Sequence, residues 1–330
     1  MAQAPGDGHH VLFFASPGTG NLRPSINATL PLRCRRTIDQ RGNMSQQIRL
    51  RSLQLVFLSA AVAVLTTGNA FAQLDPKAVI YQTPDQFKWR DPTDQASTNQ
   101  AILLGDPNKE GSLYIQLNKF KANRFGNPHY HPKDRYITVI SGAGWRGTGT
   151  VMDPAHATRV PKGTFMVDHA NKVHWDGTKE ETGAYFITGI GPATNIEVPK
   201  SSGPWAGGDP SAATIKLPNQ IEWKDNGGNL TVTLAGDTTK PGLYVQMLTW
   251  KKGNNSRPHS HPNDRFIYVM SGTWWLGSGT NYDNMNGTVP VKEGTFVTHF
   301  GKQIHYDGAK DEDTTILLIG EGPATNIPAN

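Results

Sequence analysis

Six of the nine histidines after residue 73 recur at matching positions of two similar segments. Each segment has a His-x-His pair, and a third histidine follows 43 or 44 residues later. Residues two apart in a strand point to the same face, and a third imidazole from a later strand completes a three-nitrogen set. Imidazole binds Fe, Cu, Zn, Ni or Mn and leaves positions open for substrate or oxygen. The sequence therefore predicts two metal sites, formed by His129, His131 and His174 and by His259, His261 and His305.

The alternative is that these histidines are structural, since a lone buried histidine often does no more than find a hydrogen-bond partner. One His-x-His pair would be weak grounds for a metal site. Two copies, each with its third histidine at nearly the same distance, favour metal binding.

The histidines belong to a tandem duplication of most of the chain. Residues 112–142 align with residues 242–272 at an offset of 130, and the offset becomes 131 from Gly163 and Gly294 onward. A Gly-, Pro- and Ser-rich stretch at 200–213 separates the copies and is typical of a linker. We therefore predict two homologous domains, at 73–199 and 214–330.

Within each copy the hydrophobic pattern is that of β-strands. Apolar and polar residues alternate in LYIQLNKF and RYITVISG of the first copy and in LYVQMLTW and RFIYVMSG of the second. Turn residues bound each run, and no helical stripe follows residue 73. The fold class predicted is all-β, either a sandwich or a barrel, with a jelly roll as one candidate.

Ahead of the repeats, residues 44–72 have the three regions of a signal peptide. They comprise a positive start at Arg49 and Arg51, the largely apolar residues 53–65 and a small-x-small cleavage pattern at 70–72. The apolar run is shorter than the ~20 residues of a transmembrane span. We expect export to the periplasm or the medium.

This interpretation makes residues 1–43 an over-extended N-terminal segment, with Met44 as the initiator and Gln73 as the first mature residue. The whole chain carries a net charge of +5, but the first 72 residues hold seven of the 32 Lys and Arg and two of the 27 Asp and Glu. The rest has 25 side chains of each sign and no cysteine, because Cys34 lies in the leader. A thiol-free chain suits export, and a neutral one lacks the footprint of a nucleic-acid binder. We expect no nucleic-acid partner, and no membrane partner once the signal is removed.

The histidine pattern resembles the cupin superfamily, whose first motif is G-x5-H-x-H-x3,4-E-x6-G and whose second is G-x5-P-x-G-x2-H-x3-N. Repeat two keeps Gly253 and Gly272 of the first motif, whereas repeat one has Asn123 and Gly142 there. The Gly-to-His spacing of the second motif is kept in both repeats. The resemblance covers nearly all of both repeats after residue 78. It implies a bicupin, two tandem double-stranded β-helix (jelly-roll) barrels in one chain, with one divalent transition metal per barrel.

Where the family often has a glutamate as a fourth ligand, this chain has Arg135 and Arg265. A guanidinium cannot ligate a metal, so the resemblance implies three-His sites. Each arginine could hold an anionic substrate group beside the metal, or form a rim salt bridge. Asp168 and His299 share one slot six residues before the third histidine, and each could be a general base, an extra ligand or a partner of a ligand. Their chemical difference predicts that the two sites are not equivalent.

The aspartates of the WDG and YDG segments, Asp176 and Asp307, are interpreted as turn formers. Gln116 and Gln246 alternate with apolar residues and are candidates for the pocket lining.

Neither a nucleophile elbow, nor a P-loop, nor a dinucleotide fingerprint follows residue 73. The resemblance implies a metal-dependent oxidoreductase of the dioxygenase type that acts on a small phenolic, organic-acid or sugar-derived substrate, and the signal-peptide pattern predicts that it is exported. A metal-dependent hydrolase of esters or lactones is the first alternative. A periplasmic binding or sensor protein is the second. Two linked cupin domains can pair within one chain, and the sequence leaves open whether the protein also forms a homo-oligomer.

Overall fold

The computed structural model describes residues 73–329, and within them the chain is all-β. Twenty-three strands are joined by turns and by three short 3₁₀ helices, Pro84–Gln86, Pro154–His156 and Pro218–Gln220. None of the helices in this part of the chain has the length and apolar character that a membrane span requires. The predictions for residues 1–43 and for the signal peptide at 44–72 lie outside the described residues.

The strands fall into two series of similar order. The first series is β1 Val79–Gln82, β2 Thr98–Leu104, β3 Leu113–Phe120, β4 Arg124–Phe125, β5 His129–Tyr130, β6 Arg135–Thr148, β7 Thr158–Pro161, β8 Phe165–Asp168, β9 His174–Thr178, β10 Gly183–Ile190 and β11 Ile196–Glu197. The second series is β12 Ala213–Lys216, β13 Lys224–Asp225, β14 Asn229–Ala235, β15 Gly242–Trp250, β16 His259–Ser260, β17 Arg265–Ser271, β18 Thr273–Ser278, β19 Val289–Lys292, β20 Phe296–His299, β21 His305–Gly308, β22 Thr314–Gly322 and β23 Ile327–Pro328.

Strands β2–β11 curl into an N-terminal barrel, to which β12 adds; all pairing within it is antiparallel. Its main sheet runs β11-β5-β9-β6-β10-β3-β2. The long strand β6 pairs with β10 and β8 through its first half and with β7 and β9 through its second half. This one strand therefore links the part of the sheet that carries the apolar core to the part that carries the histidines.

Strands β13–β23, together with β1, form a C-terminal barrel from two sheets. One runs β1-β20-β17-β22-β15-β14-β13, and the other runs β19-β18-β21-β16-β23. The strand that corresponds to β6 is here divided into β17 and β18, with Gly272 between them. Both barrels confirm the all-β jelly-roll prediction.

The two barrels exchange their first strands. Strand β1, at the start of the first repeat, pairs with β20 of the C-terminal barrel, with Val79 opposite His299. Strand β12, at the start of the second repeat, pairs with β8 of the N-terminal barrel, with Ala213 opposite Asp168. Each repeat thus adds a strand to the other barrel. The added strand lies next to Asp168 in the N-terminal barrel and next to His299 in the C-terminal barrel.

A shared apolar core lies between the barrels. It contains buried residues of both repeats, including Phe186 and Tyr268, whose ring centroids are 5.5 Å apart. The β-strand alternation places these side chains on the inner sheet faces, where burial of apolar area stabilises the pair of barrels.

The repeat-matched glycines Gly142 and Gly272 have a backbone reason. Both have positive φ, 59° and 77°, at the sharp bend where the strand passes from one sheet to the other. A Cβ on Gly142 would collide with the backbone oxygen of Thr182. Glycine is therefore required at this bend.

Candidate metal centres

The six repeated histidines form two buried triads. His129 on β5 pairs across the sheet with His174 on β9, and His259 on β16 pairs in the same way with His305 on β21. The second histidine of each His-x-His pair, His131 or His261, follows the short strand. In each triad the candidate ligand atoms lie within 4.8 Å of one another. The predicted grouping of the histidines is present in both barrels.

A backbone carbonyl orients each of the six rings. In the N-terminal triad, the Nδ1 atoms of His129 and His174 lie 2.8 and 3.0 Å from the carbonyl oxygens two residues before them. The Nδ1 of His131 lies 3.0 Å from the carbonyl oxygen of Thr194. The C-terminal triad repeats all three contacts, at 2.7, 3.1 and 3.2 Å. Because a carbonyl can only accept, each Nδ1 carries the proton and each Nε2 keeps a free lone pair.

This arrangement explains the repeated GPATNI segment. Thr194 and Thr325 within it supply the carbonyls for His131 and His261. The following residues, in β11 and β23, pair with β5 and β16. The segment therefore holds the middle histidine of each triad in orientation.

The Nε2 atoms fit a metal ion. Those of His131 and His174 are buried and have no hydrogen-bond partner. Those of His261 and His305 lie 3.2 Å apart, although the tautomers set by Nδ1 leave neither of them a proton to share. A cation between such lone pairs removes the repulsion and the cost of burying unpaired acceptors.

Burial favours the neutral imidazole, which is the state that binds a metal, at five of these histidines: His129, His131, His174, His261 and His305. Desolvation lowers the pKa of His131 and of His261 to about 2 and that of His305 to about 3. It also lowers the pKa values of His129 and His174. Protons therefore do not compete with a metal for these nitrogens near neutral pH.

In the N-terminal barrel the slot residue Asp168 is held by two arginines. Its Oδ2 accepts from Nη2 of Arg135 at 2.8 Å, and its Oδ1 accepts from Nη2 of Arg146. Asp176 lies on the other side of Arg146, with Oδ2 at 3.6 Å from Nη1. Oδ2 of Asp168 is also 3.5 Å from Nε2 of His174, so this ion cluster adjoins the triad. Arg135 thus pairs with a buried acid, and the rim salt bridge considered from the sequence is not its contact.

The C-terminal barrel has the same positions with different chemistry. Arg265 donates to the carbonyl of Ala324 at 3.2 Å, His299 takes the slot of Asp168, and Leu276 takes the place of Arg146. The ring of His299 lies 4.0 Å from that of His305, centroid to centroid. The two centres therefore differ in the charge around the third histidine.

Two features of this site were missed or misread from the sequence. Asp176 and Asp307 lie within β9 and β21, so their interpretation as turn formers is wrong. The sequence did not identify Arg146 as a site residue, because the matching residue of the second repeat is Leu276 and only repeated polar residues were candidates. A charged residue amid an alternating apolar strand was the signal that could have found it.

A cavity of about 590 Å³ opens beside the N-terminal triad. His129, Arg135 and Asp176 are part of its wall, and Gln116 lines it as anticipated. Its wall also carries the basic residues Arg90 and Arg124 and the aromatic residues Phe120, Phe125 and Tyr185. The size is that of sites for small molecules.

No protein-family model and no curated protein sequence matches the chain. Solved structures do resemble it. The oxalate decarboxylase of Lactobacillus farciminis, in a formate complex, has a TM-score of 0.53 at 12% identity, over 76% of this chain and 88% of that one. A deletion mutant of Bacillus subtilis oxalate decarboxylase has a TM-score of 0.52 at 14% identity, over 76% and 79%. The protein Ylba from E. coli has a TM-score of 0.52 at 12% identity, over 77% and 95%.

The chain has the bicupin fold. The resemblance inferred from the histidine motifs is confirmed at the level of fold and of the triads. At these identities the comparison settles the architecture and leaves the reaction of this bicupin to be argued from its own residues.

Proposed function

We propose that the bicupin is a metal-dependent enzyme whose active centre is the N-terminal barrel. The observation that carries this proposal is the junction of three convergent Nε2 atoms with a cavity whose wall includes both His129 and Arg135. In that junction a small molecule can reach the ion and a fixed cation together.

The substrate we propose is a small organic acid, within the wider class of phenolic, organic-acid and sugar-derived molecules. Arg135 is buried, one arm of its guanidinium is tied to Asp168, and its Nε has no partner. A buried donor without a partner is costly, and a substrate carboxylate would satisfy it. Both similar decarboxylases are named for a small carboxylate, which agrees with this choice.

We assign the chain's own residues the following work. The carbonyl-anchored histidines His129, His131 and His174 would hold a divalent ion, which when bound would supply a Lewis-acidic and, with iron or copper, redox-active centre for oxygen-dependent oxidation. Arg135 binds and orients the carboxylate. Asp168 holds Arg135 in place and keeps the two buried guanidinium groups compensated. The apolar rings of the cavity wall exclude water from the bound substrate.

The proposed reaction class is dioxygenation, in which both atoms of dioxygen enter the product. The test is oxygen uptake by the metal-loaded protein with a panel of hydroxy acids, phenolic acids and sugar acids, together with the metal content per chain. Hydrolysis of an ester or lactone without oxygen uptake would move the assignment to the hydrolase. Binding of panel compounds without any turnover would leave a periplasmic binding protein.

The matched variants are Arg135→Ala and Arg265→Ala, the same change in the two barrels. We expect Arg135→Ala to keep its metal and to lower kcat/KM by about 100-fold or more, the usual effect of removing a charged stabiliser from a dry site. Arg265→Ala is expected to leave turnover nearly unchanged, because that guanidinium donates to the carbonyl of Ala324. Equal losses in the two variants would contradict the assignment of the active centre to the N-terminal barrel.

Export belongs to the same proposal. Residues 44–72 would direct the chain out of the cytoplasm, and the mature enzyme would begin at Gln73.

A further inference from the structure

The C-terminal barrel contains a group of metal-ligating side chains beyond its histidine triad. One ligand atom each of His299, His305 and Asp307 lies within 4.8 Å of the others, and all three side chains are buried. His305 is the only residue that this group shares with the triad. The group has no equivalent among the clusters of the N-terminal barrel within residues 73–329.

The difference between the barrels comes from one substitution in the duplicated sequence. In the N-terminal barrel Arg146 lies between Asp168 and Asp176 and compensates both acids. In the C-terminal barrel the residue at that position is Leu276, which lies opposite Asp307 as Arg146 lies opposite Asp176. The carboxylate of Asp307 therefore faces an apolar side chain where its counterpart faces a guanidinium.

Asp307 has no cation in direct contact, although the charge of Arg265 acts on it from a distance. Within the part of the chain that the structure describes, no Lys or Arg forms an ion pair with it, and its side chain accepts only from Ser256, at 3.3 Å. Burying a carboxylate without a cation is unfavourable by several kcal/mol. A positive charge near Asp307 would remove this cost.

His299 also favours a cation beside Asp307. It is 3% exposed, and its Nε2 has no hydrogen-bond partner. Its Nδ1 lies 4.0 Å from Oδ2 of Asp307, and Trp274 stacks on its ring with the centroids 5.2 Å apart. The imidazole of His299 is thus held by packing, and its ring nitrogens are available as ligand atoms beside His305 and Asp307.

We propose that His299, His305 and Asp307 form a second divalent-cation position in the C-terminal barrel, where the ion stands in for the guanidinium of Arg146. The donors are two imidazoles and one carboxylate, which suit Fe, Mn, Co or Zn. Nδ1 of His305 is taken up by the carbonyl of Gln303, so only its Nε2 can bind a metal. One ion therefore uses either this position or the triad, and the C-terminal barrel offers it two overlapping ligand sets.

The duplication supplies a matched pair of variants for the test. His259→Ala/His261→Ala removes two triad ligands in the C-terminal barrel and leaves the second position intact. His129→Ala/His131→Ala makes the same change in the N-terminal barrel, where Arg146 already compensates the acids. The probe is Co²⁺, measured as bound ions per chain by dialysis and elemental analysis, with the Co²⁺ absorption bands as a record of the ligand field.

We expect about two Co²⁺ per chain in the wild type and in His259→Ala/His261→Ala, but about one in His129→Ala/His131→Ala. Adding Asp307→Asn to the first double variant should reduce binding to about one Co²⁺ per chain. If His259→Ala/His261→Ala by itself binds about one Co²⁺, the second position does not exist.

A second measurement keeps the test decisive if that variant does not fold. In the His129→Ala/His131→Ala chain only the C-terminal barrel is loaded, and adding Asp307→Asn should weaken its Co²⁺ affinity by about tenfold or more. An unchanged affinity and spectrum would mean that the ion occupies the triad alone and that Asp307 takes no part in metal binding, and would overturn the proposal. Both readouts count bound metal, so they are independent of any failure of the proposed oxidation.

Discussion

Replacing Asp168 with asparagine should destabilise the N-terminal barrel more than any single exposed charge change. The side chain of Asp168 is 0% exposed and compensates Arg135, which is 8% exposed, and Arg146, which is 1% exposed. Removing one partner of a buried ion pair typically costs 3–5 kcal/mol, because the remaining charge stays buried without compensation. Because Arg135 loses its acidic partner and Arg146 keeps only Asp176, at 3.6 Å, we expect Asp168→Asn to lower the free energy of unfolding by about 3–5 kcal/mol.

The assay is denaturant unfolding of metal-free protein, with the midpoint compared at constant slope. Glu181→Gln is the control, because Glu181 pairs with Arg159 at 2.6 Å while both side chains are more than 40% exposed. That exposed pair should contribute about 1 kcal/mol or less.

A double-mutant cycle of Asp168→Asn with Arg146→Leu tests the cause. Arg146→Leu imports the residue that the C-terminal barrel has at this position. If the two groups compensate each other, the double variant should lose less than the sum of the single losses, by about 0.5–3 kcal/mol. Strict additivity, or a loss for Asp168→Asn as small as the Glu181→Gln control, would refute this reasoning.

Three further predictions concern folding and processing. The free energy of unfolding of the metal-free protein should decrease as the pH falls below about 6.5, by about 1.4 kcal/mol per pH unit for each of His131 and His261. The cause is that these two imidazoles are protonated in the unfolded chain and remain neutral in the folded chain. Unfolding midpoints at several pH values check this, and no change is expected above that range. Gly142→Ala should lower the free energy of unfolding by about 1–3 kcal/mol. Gly149→Ala should lower it less, because Gly149 also has a positive φ but has open space for a Cβ. Thermal unfolding of the two variants measures the difference. N-terminal sequencing of the exported protein should begin at Gln73, and a chain that begins at Met1 would contradict the signal-peptide interpretation.

Sequence reasoning reached the triads because their signal is local and repeated. In His129 and His131 the spacing of two places both rings on one face, and the duplication repeats this pair with its third histidine. The all-β class followed from strand alternation, and the two-barrel architecture was implied by the resemblance of the histidine motifs to the cupin superfamily. These are properties of short segments, and they hold however the segments are packed.

The charge environment around each triad was decided by the tertiary structure. Arg146 reaches Asp168 because β6 runs from one sheet to the other, and the exchanged strands β1 and β12 border the slots of His299 and Asp168. Such contacts depend on register between strands distant in sequence, which no local pattern encodes. The sequence by itself therefore determined which histidines form the two triads. Only the fold decided which buried acids pair with a guanidinium. The physical reason is that the Coulomb interaction in a buried site depends on the distance between the two charges in space, which their separation along the chain does not set.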